Sequence, residues 1–370
     1  MVFFSQKISF QVLFSALFTG LATICVPSLA EELDLSPYQN QVCREALLPV
    51  RALKPLGKKL SKTKRIWLFE QALHNGTLKL YRQKGIFQVY KIRGKDLDPE
   101  LLHHLGVLRE ETFRAVDEGS GLDADVDAFD KRYDHLLVWS ATDHDIVGAY
   151  RLGEFKKALQ TGRLDLMYTQ SLFHFSPDFF RHFTGEIAEM GRSFVVQKYQ
   201  NQSDILALLW GGIAEYLYQH KKMRYLCGPV SLSGSYSPLS KALIRDYFMK
   251  HHGDPDNLRN LMKPEHPFTD AVSLPAALKE QILSKRISDF NTMIESLEGP
   301  GKGIPPLIKH YPGLLNARFI EAIVDPTFNT VDFLICVDVT GMNARKAEYF
   351  MGDKQKVQSL IERKFTPQPD

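Results

Sequence analysis

Between residues 85 and 339, short apolar strand-like stretches and amphipathic helical stretches follow one another. Several neighbouring strand-like stretches are separated by only a few turn residues. That order restricts the chain to a layered α/β fold with a mixed sheet and helices on both faces. Residues 87–92 alternate in the manner of a strand. Residues 99–114 read as a helix with a proline in the first turn and Leu101, Leu102, Leu105 and Leu108 on one face. Further strands are expected at 135–139, 146–152, 186–196, 224–227 and 331–339, and further helices at 203–220 and 238–250.

The 370 residues suffice for one large domain, and 44% hydrophobic with 24% charged residues excludes wholesale disorder. A net charge of +3 without a concentrated Lys/Arg stripe gives no reason to expect nucleic acid as a partner. Cys25, Cys43, Cys227 and Cys336 are far apart, form no zinc-ligand spacing, and read as buried free thiols. Residues 1–30 form an apolar leader ending in Ser28-Leu29-Ala30. It suits either a cleavable secretory signal or a membrane anchor, for which ~20 apolar residues suffice. Residues 31–84 read as a basic helical linker. Its cluster Lys54 to Arg65 next to Trp67 and Phe69 is either a solvated surface or a patch for anionic lipid. The main domain is placed at 85–352, and 353–370 is a tail.

Chemistry concentrates in a few places. Asp123, Asp125, Asp127 and Asp130 alternate like a calcium loop, but Ala128 and Asp134 occupy the places where an EF-hand needs Gly and Glu. No metal is expected; these carboxylates more economically pair with Arg109, Arg114, Arg151 or Arg192 and fix the loop. Strict alternation along the strand through Glu189 puts Glu189 and Gly191 on one face and Met190 and Arg192 on the other. Glu189 is a candidate base for an amine nucleophile, and backbone N–H groups near Gly191 are candidates to stabilise an oxyanion. The loop holding Lys198 precedes the helix beginning at Ser203, a suitable place for a phosphate, although Ser203 is equally a plain N-cap. His251 and Asp256 have HxxxxD spacing but fall in a Pro/Gly-bearing turn, and the serines at 231–237 lack a GxSxG elbow.

The succession LREETFR, DVDAFDKRYDHLLVW, IVGAYRL, EMGRSFVV and LLWGGIAEYLYQHKKMRYLCGPVSLS resembles the bacterial N-acyltransferases of ornithine-lipid and aminolipid synthesis, often labelled hemolysin-like acyltransferases. It is more distantly similar to the acyl-homoserine-lactone synthases. The resemblance covers residues 85–352 and implies a GNAT-like, mainly antiparallel sheet. It also implies an acyl-ACP or acyl-CoA co-substrate with no permanently bound cofactor, and an amino-acid amine such as that of ornithine, lysine or glycine as acceptor. Acyl carrier protein becomes the expected partner, with a membrane surface as a further contact. By the same resemblance, Glu189, Gly191 and Arg192 are expected to be catalytic, and Arg109, Phe113, Asp127, Asp130 and Arg151 to bind substrate or position one another. Lys198 and Ser203 are expected to meet the donor, and Glu189→Gln to fold normally while losing turnover. The usual Gln/Arg-x-x-Gly-x-Gly/Ala donor signature is absent from 197–203, which suits a carrier other than acetyl-CoA. The expected location is the cytoplasmic face of a membrane, or outside the cell if the leader is cut. Lysophospholipid O-acylation and a non-catalytic, lipid-binding exported protein are the alternatives.

Overall fold

The computed structural model describes residues 33, 35–39, 52–269 and 272–365. The leader, Cys25, Cys43 and the last five residues lie outside that set. Helix α1 (Lys62–His74) leads into strands β1 (Lys79–Lys84) and β2 (Phe87–Arg93). Helix α2 (Pro99–Arg114), strands β3 (Asp134–Ser140) and β4 (Asp145–Glu154) and helix α3 (Phe155–Thr161) follow. After short pieces β5 (Phe173–Phe175) and α4 (Pro177–Arg181) come β6 (Glu186–Val195), α5 (Ser203–Gln219), β7 (Met223–Ser233) and α6 (Pro238–His252). The chain ends with β8 (Met262–Pro264), α7 (Ala276–Leu283), α8 (Ile287–Glu298), α9 (Pro306–Leu315), β9 (Arg318–Asp325), β10 (Thr330–Asp338), α10 (Ala344–Met351) and α11 (Lys354–Ile361).

Eight strands form one sheet in the order β1-β2-β3-β4-β6-β7-β10-β9. Every neighbouring pair is antiparallel except β6–β7, which is parallel. A parallel pair needs a crossover, and α5 supplies it, lying against β1–β4 with its apolar residues Ile205, Leu209, Trp210, Ile213 and Leu217 buried. The opposite face carries α1 and α2 over β2–β4 and a phenylalanine-rich cluster (Phe155, Phe173, Phe175, Phe179, Phe183) nearer β6–β10. The mixed, mainly antiparallel sheet with helices on both faces is therefore as expected.

Two stretches are more integrated than expected. The described part of the 31–84 stretch supplies α1, whose Phe69 stacks on Trp139 at 3.9 Å, and the edge strand β1. The Lys54 and Gly57 amides donate to the Gly121 and Asp123 carbonyls, at 2.9 and 2.8 Å, so the basic cluster starts docked on the acidic loop. In the 353–370 tail, α11 buries Val357 and Leu360.

The free-thiol expectation is corrected for two cysteines. Cys227 and Cys336 stand opposite each other in the β7–β10 register and form a disulfide. Their 109-residue separation hid a direct cross-strand neighbourhood. Such a bond limits the unfolded chain, so reduction is expected to lower stability by about 2–4 kcal/mol. Urea titrations with and without reductant, beside the Cys227→Ser/Cys336→Ser double variant, measure this; identical midpoints would show that the bond contributes nothing.

Candidate active site

The parallel ladder between β6 and β7 is short. It runs from Glu186 opposite Met223 to Glu189 opposite Cys227 and then stops. Just beyond lies the apex, where a Cβ on Gly228 would stand 2.1 Å from the Met190 carbonyl oxygen. Past the apex the strands diverge, β6 remaining on β4 and β7 on β10. This accounts for a strand longer than expected. Pro229 has no N–H and is tolerated only where a strand is partly unpaired, and it sits where the β6 partner has left.

The divergence opens a cavity of about 1010 Å³ that passes through the sheet. Strand alternation separates its two ends. On the α5 side it is lined by Tyr150, Leu206, Trp210, Val230, Tyr311 and Ile335. On the α2 side it is lined by Phe113, Glu118, Ser231, Phe328 and Asp332. Gly191 lies on the wall, and nothing stands within 4 Å of where its Cβ would be. Gln197 and Gln200, just before α5, also border the cavity.

At Arg192 the backbone takes φ 51°, and β6 slips in its register against β4: Ala149 faces Phe194 while Arg151 faces Gly191. This bulge cancels the strict alternation read from the sequence. Arg192 consequently lies on the same side as Glu189, its guanidinium 4.6 Å from the centre of the Tyr168 ring.

Glu189 is buried and absent from the cavity wall. Its carboxylate accepts from the Tyr133 hydroxyl, from the Tyr168 amide at 3.1 Å and from the Thr169 amide at 2.8 Å. Burial raises its pKa, against the opposing effect of these donors and Arg151. The group pins the 168–169 turn to β6. Glu189→Gln would turn an amide NH₂ toward one of these donors, so it is expected to destabilise the fold by about 1–3 kcal/mol. Thermal unfolding of that variant checks this; an unchanged Tm would sink it.

Arg109, Asp127, Asp130 and Arg151 are brought together, but behind the wall rather than on it. Arg109 donates to both oxygens of Asp130 at 3.1 and 3.0 Å, and Arg151 donates to Asp127 at 2.7 Å and Asp130 at 3.1 Å. Arg192 and Arg109 both reach Asp125, at 3.1 and 2.8 Å. Three guanidinium groups and three carboxylates thus balance in one buried network. It fixes the acidic loop, as the pairing reading expected. Lys198 points away to Asp143 at 2.9 Å, and the Ser203 side chain lies outside the described set. His251 donates from Nε2 to the Leu283 carbonyl, 2.6 Å away, rather than facing the cavity.

Sequence reasoning missed Glu118 and Asp332. Both line the cavity, and Asp332 is buried, accepting from Thr330 Oγ1 at 2.7 Å. A single carboxylate inside the apolar run Val331 to Val337 was the available signal. Burial, with Asp332 and Asp117 nearby, pushes the Glu118 carboxyl up to about 8. Burial and Asp325 push Asp332 up to about 6.

A parallel pair that opens part-way leaves a cavity reached by residues from both faces of the sheet. The acetyltransferase (GNAT) domain family matches residues 108–211, from the end of α2 through β6 and into α5. A glycine N(alpha)-acyltransferase of Bacteroides thetaiotaomicron is 30% identical over 266 residues, 68% of this chain and 77% of the relative. An L-ornithine N(alpha)-acyltransferase of Agrobacterium fabrum is 31% identical over 238 residues, 63% of this chain and 73% of the relative. The chain belongs to this family of GNAT N-acyltransferases and is itself an N-acyltransferase. Enzymes of this kind use an acyl-CoA or acyl-ACP co-substrate and hold no permanent cofactor.

Proposed function

We propose that the enzyme moves a fatty or 3-hydroxyfatty acyl group from a carrier thioester to the amine of an amino acid such as glycine or ornithine, giving an aminolipid precursor. The observation that carries this reading is the cavity opened where β6 leaves β7, with an apolar end and an acidic end. A long acyl chain suits the apolar end under α5. There the indole N–H of Trp210 has no protein partner among the described residues, and the Tyr150 and Tyr311 hydroxyls meet at 2.9 Å. These are polar contacts for the amides of a pantetheine arm. Its phosphate would lie by Gln197 and Gln200 at the start of α5, where unpaired helix N–H groups favour an anion.

The acceptor amine enters from the α2 side, and the thioester carbonyl lies between them, beside the exposed backbone at Gly191. Acyl carrier protein is the proposed donor, because the usual donor signature is missing from the loop before α5. Contact with an anionic membrane fits the exposed Trp67 flanked by the exposed Lys58 and Lys62. Among the described residues no helix is long and apolar enough to cross a membrane.

The test uses the purified full chain with palmitoyl-CoA or palmitoyl acyl carrier protein, and glycine, ornithine, lysine or lysophosphatidylcholine as acceptor. An amide product with an amino acid, together with released thiol, is expected. Ester formation on the lysophospholipid alone would overturn the reading.

A further inference from the structure

An ammonium cannot attack a thioester, so the acceptor must lose a proton inside the cavity. Glu189 is poorly placed for this, since three donors of the protein occupy its carboxylate away from the wall. The α2-side end offers two other carboxylates. Glu118 follows α2 in the loop that closes this end, and none of the described residues hydrogen-bonds its side chain. Asp332 comes from the opposite wall on β10, on the same face as its cross-strand neighbour Ser231.

The charged groups around them are mostly acidic. Asp117 adjoins Glu118, and Asp325 at the end of β9 faces Asp332. Arg192 from β6 is a cation on the cavity wall, held by Asp125 and Asp127, and Lys302, Lys309 and His310 also line the cavity. The Tyr168 hydroxyl donates to Asp325 at 3.1 Å.

We infer that Glu118 and Asp332 form the acceptor-amine subsite, with Asp332 holding the incoming ammonium and Glu118 removing its proton. The inference rests on the acyl-transfer reading above. In the step itself, one N–H proton passes to the Glu118 carboxylate and the freed amine attacks the thioester carbon. The C–N bond forms, the C–S bond breaks, and the leaving thiolate takes the second amine proton. Amide and carrier thiol result, and Glu118 returns its proton to solvent. A carboxyl that ionises near neutrality is well matched to this task.

The test compares wild type, Glu118→Gln, Glu118→Asp and Asp332→Asn with palmitoyl acyl carrier protein and with palmitoyl-CoA, over a range of glycine or ornithine concentrations and across pH 5 to 9. Glu118→Gln is expected to lower kcat about 10²–10⁴-fold. Glu118→Asp should recover part of it. Asp332→Asn is expected to raise KM for the amine and move the acid limb of kcat to lower pH, because it removes the negative charge that helps hold the Glu118 proton. Glu118→Gln should also raise Tm at pH 8: a carboxyl that accepts no hydrogen bond from the described residues and whose pKa is raised by folding costs the native state stability at pH values above its unfolded pKa. Unchanged kcat in Glu118→Gln, or an acid limb unmoved by Asp332→Asn, would overturn the inference. Absence of any amide with wild type would instead defeat the acyl-transfer reading.

Discussion

Asp130→Asn is expected to destabilise the enzyme by about 3–5 kcal/mol, the usual cost of removing one partner from a buried ionic network. The side chain keeps its shape, so the effect isolates the charge. Asp130 is 0% exposed and touches both Arg109 and Arg151, which are each 1% exposed. Without the carboxylate, two buried guanidinium groups share a missing counter-charge, and water cannot reach them to compensate. Burial alone would raise the Asp130 pKa, but Arg109 and Arg151 outweigh it and hold the group well below the usual carboxylate range.

The sign of the pH dependence follows from that. The folded-state pKa lies below the unfolded value of roughly 3.9. The stabilisation is therefore complete above that value and is lost as pH falls through the folded pKa. His135, whose Nε2 lies 2.7 Å from the Asp130 carbonyl, acts at milder pH. Burial pushes it down to about 4, so the unfolded chain binds its proton first and the contribution of this one group falls from about pH 6.5 towards 4. Chemical denaturation of wild type and Asp130→Asn at pH 7 and pH 4.5 measures both effects. Equal stabilities at pH 7 would contradict the role assigned to the network.

Gly228→Val is expected to abolish acyl transfer, with at least about a 100-fold loss of kcat/KM, and to cost on the order of 3 kcal/mol of stability. Its first added atom would meet the Met190 carbonyl oxygen at 2.1 Å, far inside contact distance, and the obstacle is backbone rather than a movable side chain. One strand must shift, and overpacking of this kind costs ~1–3 kcal/mol or more. The displacement falls at the apex from which the cavity opens, and a misplacement of ~1 Å at a reacting centre can cost ~10²-fold. Gly191→Ala makes a useful contrast, because its Cβ would meet nothing within 4 Å. It should preserve stability, and its activity reports how closely the thioester approaches that backbone. Normal activity in Gly228→Val would mean that the strand divergence does not position the reaction.

The features legible in the sequence were those set by local periodicity. The α2 helix, with Pro99 in its first turn and an Asp98 cap, lies where the leucine spacing placed it, and β3, β4, β6, α5 and β10 agree to within a few residues. The acidic loop's pairing with arginines was also readable, because buried charges need counter-charges. What escaped depends on contacts distant along the chain. The disulfide joins residues brought together only by β7–β10 pairing. Arg192 changes face because of a single left-handed residue, which an arginine gives no hint of. Glu118 and Asp332 stand 214 positions apart in sequence and share a cavity only because β6 and β7 separate between them. The same separation leaves Glu189, the more conspicuous carboxylate, one step before the opening and committed to its neighbours.

In the proposed reaction an acyl group is passed to an amine within the gap between β6 and β7. Lipid mass spectrometry of cells overexpressing the full chain, beside cells making equal amounts of folded Gly228→Val, tests it most directly. An amide-linked acyl amino acid formed by the wild type and missing with the variant is the predicted result. The same lipid at equal abundance in both, or no new amide from the folded wild type, would contradict it.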